Sequence, residues 1–113
     1  MPFELVTRRL ENVLLIEIVG EFVLSQKLRR CSTVIRDAGD ATAFVVDLSQ
    51  CGKLDSAGLG ELLMWYSLAM RSKKKVLLIG VKESIKGVMQ TARVDGILLG
   101  ARDLEAALAE LRA

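Results

Sequence analysis

The most restrictive feature of this sequence is the alternation of short apolar runs with stretches in which apolar residues recur at helical spacing. Residues 43–48 and 76–81 are almost wholly apolar, as expected of strands that are covered on both faces of a sheet. Each run precedes a helical stripe, at residues 59–70 and 85–92 respectively. Because short connections join these elements, the pattern predicts an α/β fold whose sheet is mostly parallel.

The rest of the chain completes this arrangement. The other predicted elements are a hairpin of residues 3–8 and 12–19 that ends at Gly20, a helix of residues 24–38, a short strand of residues 97–99 and a closing helix capped by Asp103. The predicted order is therefore β-β-α-β-α-β-α-β-α, and the opening hairpin makes the sheet mixed. The 113 residues suffice for one core, so residues 1–113 are assigned to a single domain.

The residue content argues against catalysis. The chain has no histidine, which removes Ser-His-Asp and Cys-His nucleophilic catalysis and the common histidine-containing zinc sites. Its two cysteines cannot complete a four-thiolate zinc site. Residues 58–63 begin like a dinucleotide-binding fingerprint, but Leu63 stands where a small residue is required. We therefore predict a protein that is not an enzyme and that holds no cofactor or metal.

Charge and hydropathy narrow the choice of partners. A net charge of +2 is too small for a phosphate-tracking surface, and the basic run at residues 71–75 falls in a predicted solvated turn, so no nucleic-acid partner is expected. No apolar stretch approaches the roughly 20 residues of a membrane span. No charged leader with an apolar block follows Met1. We expect a cytoplasmic protein without direct membrane insertion.

The two cysteines should stay reduced in that compartment. Cys31 falls on the apolar stripe of the helix predicted at residues 24–38, which favours a small buried hydrophobe. Cys51 lies in a predicted connection between a strand and a helix. A reactive thiol at that position would need a cationic neighbour, and Lys53 is the only candidate nearby.

The segment of residues 47–60 carries the candidate functional residues. It joins a buried strand to the following helix at the carboxyl end of the strand, where open α/β sheets place their functional loops. Either Asp55 or Ser56 can cap that helix. Ser56 has two interpretations: its hydroxyl caps the helix, or it accepts a phosphoryl group, which the amides and dipole of a helix N-terminus would stabilise. The small residues after Ser56 leave room for a kinase to approach.

Two segments resemble the signature of STAS domains, in particular of the anti-sigma factor antagonists: Val-Val-Asp-Leu at residues 45–48 and Leu-Asp-Ser-Ala-Gly-Leu-Gly at residues 54–60. The resemblance extends over nearly the whole chain. It implies a sheet of four or five strands in sequential order, with helices mainly on one face.

The resemblance also implies a function. In such antagonists the serine after the aspartate is phosphorylated by a serine kinase that doubles as the anti-sigma factor, and Ser56 occupies that position. The unphosphorylated form binds the kinase and so releases the sigma factor, and a serine phosphatase resets the cycle. The residues expected to contact the partner are Asp55, Ser56, Ala57, Gly58, Leu59, Gly60, Glu21 and Lys53.

Two positions depart from the family pattern. Val23 stands where family members usually have an acidic residue that assists phosphorylation. Either Glu21 replaces that carboxylate, or the chain is phosphorylated poorly and acts as a constitutive binder. Lys53 stands where an apolar residue is common, and it either pairs with a phosphate on Ser56 or is a solvated lysine. The alternative function is an unmodified STAS scaffold subunit of a stress-sensing complex or of a lipid or anion transporter.

Overall fold

The computed structural model describes residues 3–98 and 100–112 of the chain. In chain order the elements are β1 (Glu4–Leu10), β2 (Val13–Phe22), α1 (Gln26–Arg30), α2 (Thr33–Arg36), β3 (Ala43–Asp47), β4 (Cys51–Leu54), α3 (Ser56–Arg71), β5 (Lys75–Ile79), α4 (Glu83–Thr91) and α5 (Leu104–Arg112). None of the described helices has the length and apolar character needed to cross a lipid bilayer.

The sheet is built around β2, which has neighbours on both sides. It pairs antiparallel with β1, parallel with β3 through residues 13–17, and parallel with β4 through residues 20–22. The strand β5 pairs parallel with β3, so the order is β1-β2-β3-β5 with β4 beside the end of β2. The prediction of a mixed, mostly parallel sheet is confirmed. The amino ends of three strands lie in one row, because Ala43 is the register partner of both Val13 and Lys75.

Alternate side chains of each inner strand enter two apolar layers. In β3, Phe44 and Val46 belong to the larger layer, to which α1, α2, α3 and α4 contribute their buried residues. Val45 belongs to the smaller layer on the opposite face, where Ala107 of α5 is fully buried. Near-continuous burial of β3 follows from this double cover. The helices therefore lie mainly on one face of the sheet, as predicted.

The prediction of one helix over residues 24–38 is wrong in detail, because α1 and α2 are separate. Hydrogen bonds at the junction close tighter i→i+3 turns, from Cys31 N–H to the Leu28 carbonyl and from Val34 N–H to the Cys31 carbonyl. Leu28, Cys31, Ile35 and Ala38 are nevertheless buried, so the apolar stripe continues through both helices. Leu24 departs from the stripe, since it precedes α1 and is 58% exposed.

The strand β4 was not predicted, and the placement of Cys51 in a connection is wrong. Only the end residues, Cys51 and Leu54, are buried, whereas Gly52 and Lys53 are exposed. A four-residue element with this burial lacks the alternation that marks a half-buried strand, and its glycine is typical of a turn.

Two strand boundaries also differ from the prediction. β2 continues past the expected stop at Gly20, which has a φ of 108° and is followed by a shift of register in the pairing with β4. Of the strand predicted at residues 97–99, the first two residues lie in irregular backbone, and Leu99 lies outside the described residues. The contact with β5 is made instead by Gly100, which bridges to Leu78.

Candidate functional site

The amino end of α3 presents Ser56 to solvent. Asp55 is the N-cap: its backbone is extended and its Oδ1 accepts a hydrogen bond from the Gly58 N–H at 2.8 Å. Ser56 is the first helical residue, and its exposed hydroxyl forms no hydrogen bond with any described residue. Of the two capping residues predicted, Asp55 is the one used. The hydroxyl of Ser56 is therefore open to an approaching molecule.

Asp55 also joins α3 to the loop after β2. Its Oδ2 accepts a hydrogen bond from the Leu24 N–H at 3.1 Å. One carboxylate thus holds two segments that are 31 residues apart in sequence. The exposed Leu24 consequently lies beside the start of α3. Sequence reasoning missed Leu24 as a surface residue because its spacing matched the buried stripe of the following helix.

Hydrogen bonding also sets the protonation behaviour of Asp55. Desolvation raises the pKa of Asp55, but hydrogen bonds from the backbone N–H groups of Gly58 and Leu24 outweigh it and hold the pKa below its usual range. A carboxyl group whose pKa is lower in the folded state contributes stability above its unfolded pKa, near 3.8. That contribution is lost as the pH falls through the folded pKa.

We expect Asp55→Ala to lower the free energy of unfolding by roughly 0.5–2 kcal/mol at neutral pH, because the N-cap is lost. Urea denaturation measures this difference. Asp55→Asn retains an oxygen acceptor and is the matched control, with a smaller loss. As the pH falls below about 3.8 the difference between wild type and Asp55→Ala should shrink, because Asp55 binds a proton first in the unfolded chain and, at lower pH, in the folded protein as well. A difference that is equal in acid and at neutral pH would contradict this role.

A close backbone contact fixes α3 against β2. A Cβ added to Gly58 would lie 2.0 Å from the carbonyl oxygen of Phe22, so a side chain does not fit at this position. Farther along α3, Trp65 is fully buried and packs edge-to-face on the Phe22 ring, with centroids 5.6 Å apart. The predicted buried face of α3 omitted Trp65 and ended at Met70, which is 52% exposed. These contacts hold the amino end of α3 in place.

Neither cysteine is a candidate nucleophile. Burial, aided by the charge of the neighbouring Glu61, raises the pKa of Cys31 to about 12. Burial likewise raises the pKa of Cys51, which is fully buried on β4 and donates its thiol hydrogen to the Lys53 carbonyl. Thiolates are the reactive form, so both residues act as small buried hydrophobes. The prediction that Cys31 is a small buried hydrophobe is confirmed. Lys53 does not activate Cys51, because the pKa of that thiol is raised.

A family model described as Mlab, STAS domain, matches residues 7–110 of the sequence. This chain belongs to the STAS domain family. The comparison with curated protein sequences gave no significant match.

Solved structures of low sequence identity share the fold of this STAS domain. An anti-sigma factor antagonist from Mycobacterium paratuberculosis is 18% identical, with a TM-score of 0.84 over 99% of this chain and 96% of that chain. The anti-sigma factor antagonist SpoIIAA is a Bacillus cell fate determinant. The structure of its unphosphorylated form is 19% identical, with a TM-score of 0.69 over 99% of each chain. A sulfate transporter family protein from Wolinella succinogenes is 15% identical, with a TM-score of 0.69 over 90% of this chain and 86% of that chain.

The partner-binding residues predicted for the STAS domain divide by exposure. Ser56, Gly60 and Lys53 are exposed, and Asp55, Ala57 and Glu21 are partly buried. Gly58 and Leu59 are buried, so they lie beneath the exposed surface at the start of α3. Glu21 and Lys53 are register partners across β2 and β4. The two therefore lie side by side, at the strand ends that lead toward α3.

The aspartate of the first STAS segment has a structural task. Oδ1 of Asp47 accepts a hydrogen bond from the Ser49 N–H at 2.8 Å, which turns the chain at the end of β3. Gly80 lies against this turn with a φ of 66°, and a Cβ there would come within 2.8 Å of Asp47 Oδ1. The turn thus redirects the chain from β3 toward β4, and from there to Ser56.

Proposed function

We propose that this STAS domain is an anti-sigma factor antagonist that binds a serine kinase through the amino end of α3 while Ser56 is unphosphorylated. The observation that supports this most directly is the position of the Ser56 hydroxyl, exposed at the first residue of α3 and unbonded to any described residue. Binding of the kinase, which is also the anti-sigma factor, would release the sigma factor. A serine phosphatase would restore the binding form.

The surroundings of Ser56 suit a switch based on charge. The first turn of α3 contains no acidic residue, and the N–H groups of a helix N-terminus stabilise an added anion. A phosphate would bring roughly 1.5 to 2 negative charges next to the Asp55 carboxylate. A partner that fits a neutral hydroxyl would then have to remove water from two adjacent anionic groups, the phosphate and the Asp55 carboxylate. The domain itself does not need to refold.

The same arrangement supports a protein that is a kinase substrate and is not itself an enzyme. Asp55, the carboxylate next to Ser56 in sequence, is bonded to two backbone N–H groups, and the chain has no histidine to serve as a base. The kinase would supply the catalytic groups. Lys53, exposed on β4, is the proposed cationic partner of the phosphate. We also propose a cytoplasmic location.

Phosphorylation of Ser56 is testable with purified components. The protein is incubated with ATP alone and with ATP plus the serine kinase proposed as its partner, and the intact mass is measured. We expect one added phosphoryl group with the kinase, none with ATP alone, and none in Ser56→Ala. Ser84→Ala is the matched control, since Ser84 is an exposed serine in the first turn of α4. Unchanged modification of Ser56→Ala would reject Ser56 as the acceptor.

Val23 bears on how fast this modification proceeds. Val23 is partly buried and directly precedes Leu24, whose N–H binds Asp55. A carboxylate at residue 23 would therefore enter the vicinity of Ser56. We expect Val23→Asp to raise the rate of phosphorylation and Val23→Asn, the uncharged control of similar size, to leave it unchanged. Equal rates in all three proteins would show that this carboxylate has no part in the reaction.

A second candidate function is an unmodified scaffold subunit of a stress-sensing complex or of a lipid or anion transporter. Val23 favours it, as does the likeness to a sulfate transporter family protein. In that case Ser56→Ala and Ser56→Asp would bind the partner equally well. The two candidates are thus separated by the binding of the same pair of variants.

A further inference from the structure

A second surface lies at the end of the sheet opposite Ser56, where β2, β3 and β5 begin. An open cavity of about 730 Å³ occupies this end, bounded by the turn between β1 and β2, the starts of β3 and β5, and the last turn of α5. Small-molecule sites have volumes of roughly 300–1,000 Å³, so the cavity is large enough for a ligand.

Cationic residues from four separate segments reach this cavity. They are Arg9 of β1, Lys73 of the turn after α3, Lys75 of β5 and Arg112 of α5. Arg9 is paired with Asp40, whereas the other three form no ion pair with any described residue. Among the described lining residues, Glu11 is the only acidic one. The rim of the cavity is therefore positively charged.

The basic run between α3 and β5 supplies two of the residues at this rim. Lys74 turns away from the cavity: its Nζ lies 5.8 Å from the centroid of the Phe44 ring and 3.4 Å from the Gly39 carbonyl oxygen. Lys73 and Lys75, on either side of it, line the cavity. The run predicted as a solvated turn thus supplies two converging cations.

The floor of the cavity is aliphatic. Its apolar residues are Leu10, Val13, Ala43, Leu108 and Leu111, of which Val13 and Ala43 are buried and the three leucines are partly buried. The described lining contains no aromatic ring on which a nucleotide base could stack. A cationic rim above an aliphatic floor is complementary to an anionic head group attached to an alkyl chain.

We propose that this cavity binds amphiphilic phosphates, with the phosphate at the cationic rim and the alkyl chain on the aliphatic floor. A free alkyl phosphate and the head of a membrane phospholipid share this chemistry. Because the cavity and Ser56 lie at opposite ends of the sheet, binding should not depend on the state of Ser56. The site is separate from the proposed kinase-binding surface, and its test does not require the kinase.

The test is calorimetric titration of the intact protein with decyl phosphate below its critical micelle concentration. We expect saturable binding of decyl phosphate and much weaker binding of inorganic phosphate and of decyltrimethylammonium, which lack the chain and the negative charge respectively. Lys75→Glu combined with Arg112→Glu should weaken binding roughly tenfold or more. Arg29→Glu combined with Lys86→Glu makes the same change of charge away from the cavity and should bind as wild type. Ser56→Asp should also bind as wild type.

The two sources of the ligand are distinguished by a second arm with phosphatidylcholine vesicles that contain phosphatidic acid. Binding of decyl phosphate without binding of vesicles assigns the cavity to a free ligand. If the protein binds both, and the Lys75 and Arg112 substitutions weaken both, the cavity recognises the head group that the two ligands share. Vesicle binding without decyl phosphate binding would overturn the cavity site. Equal affinity for decyl phosphate and decyltrimethylammonium would also overturn the cavity site. So would wild-type affinity in the variant with Lys75→Glu and Arg112→Glu, provided that its thermal unfolding is unchanged.

Discussion

Gly58→Ala should lower the free energy of unfolding by up to about 2 kcal/mol, measured by urea denaturation at neutral pH. The new methyl group would lie 2.0 Å from the Phe22 carbonyl oxygen and 3.0 Å from a Leu54 side-chain carbon. The carbonyl belongs to the paired backbone of β2 and cannot turn aside, so α3 itself has to shift. Overpacking of this kind costs about 1–3 kcal/mol and occasionally more, which exceeds the gain in helix propensity of about 1 kcal/mol from replacing glycine with alanine.

Gly60→Ala is the matched control for this prediction. Gly60 lies in the same turn of α3 and is exposed, and a Cβ there meets no atom within 4 Å. The substitution should leave stability unchanged or raise it by up to about 1 kcal/mol. The sign of the effect therefore reverses between two glycines that are two residues apart. Equal effects at both positions would contradict the close contact between α3 and β2.

Ser56→Asp should weaken binding of the proposed partner kinase about a hundredfold, whereas Ser56→Ala should bind nearly as wild type. Burying a charge without a partner in an interface costs several kcal/mol, and each 1.4 kcal/mol is a factor of about ten in affinity. The folded state should not suffer, because an acidic residue in the first turn of a helix is favourable by about 0.3–1 kcal/mol. Titration calorimetry against the kinase, with thermal unfolding in parallel, separates loss of binding from loss of structure.

Ser84→Asp is the control for added charge in general. It places the same side chain in the first turn of α4, again on an exposed serine. We expect binding near that of wild type. A loss as large as that of Ser56→Asp would mean that net charge governs the association, and wild-type binding by both Asp variants would leave the scaffold function as the better proposal.

Much of the fold follows from the spacing of apolar residues in the sequence. Strands covered on both faces, such as β3 and β5, are continuous apolar runs because each successive side chain enters one of two cores. The stripe of α4 places Ile85 and Met89 on one side, and both are buried. Asp103 caps α5 as predicted, since its Oδ1 accepts a hydrogen bond from the Ala106 N–H at 2.9 Å.

The unpredicted features are those decided by tertiary contacts. β4 forms because Cys51–Leu54 pairs with the end of β2. The sequence of Cys51–Leu54 has no strand pattern from which this pairing could be predicted. Leu24 has the spacing of a core residue, but the bond from its N–H to Asp55 keeps it in a loop. The exposure of Ser56 could not be predicted either, because the sequence allows either Asp55 or Ser56 as the cap of α3. Only the folded chain shows which oxygen the Gly58 N–H contacts.

Main-chain atoms hold the site around Ser56 in place. Gly58 packs against the Phe22 carbonyl of β2, and the Asp55 carboxylate accepts hydrogen bonds from the N–H groups of Gly58 and Leu24. Exposed neighbours such as Leu24, Gly60 and Met64 take no part in that framework through their side chains. Their identities can consequently drift over generations while the helix tip stays where it is. STAS domains that share this framework could thereby come to bind different partners without any change in the backbone contacts beneath.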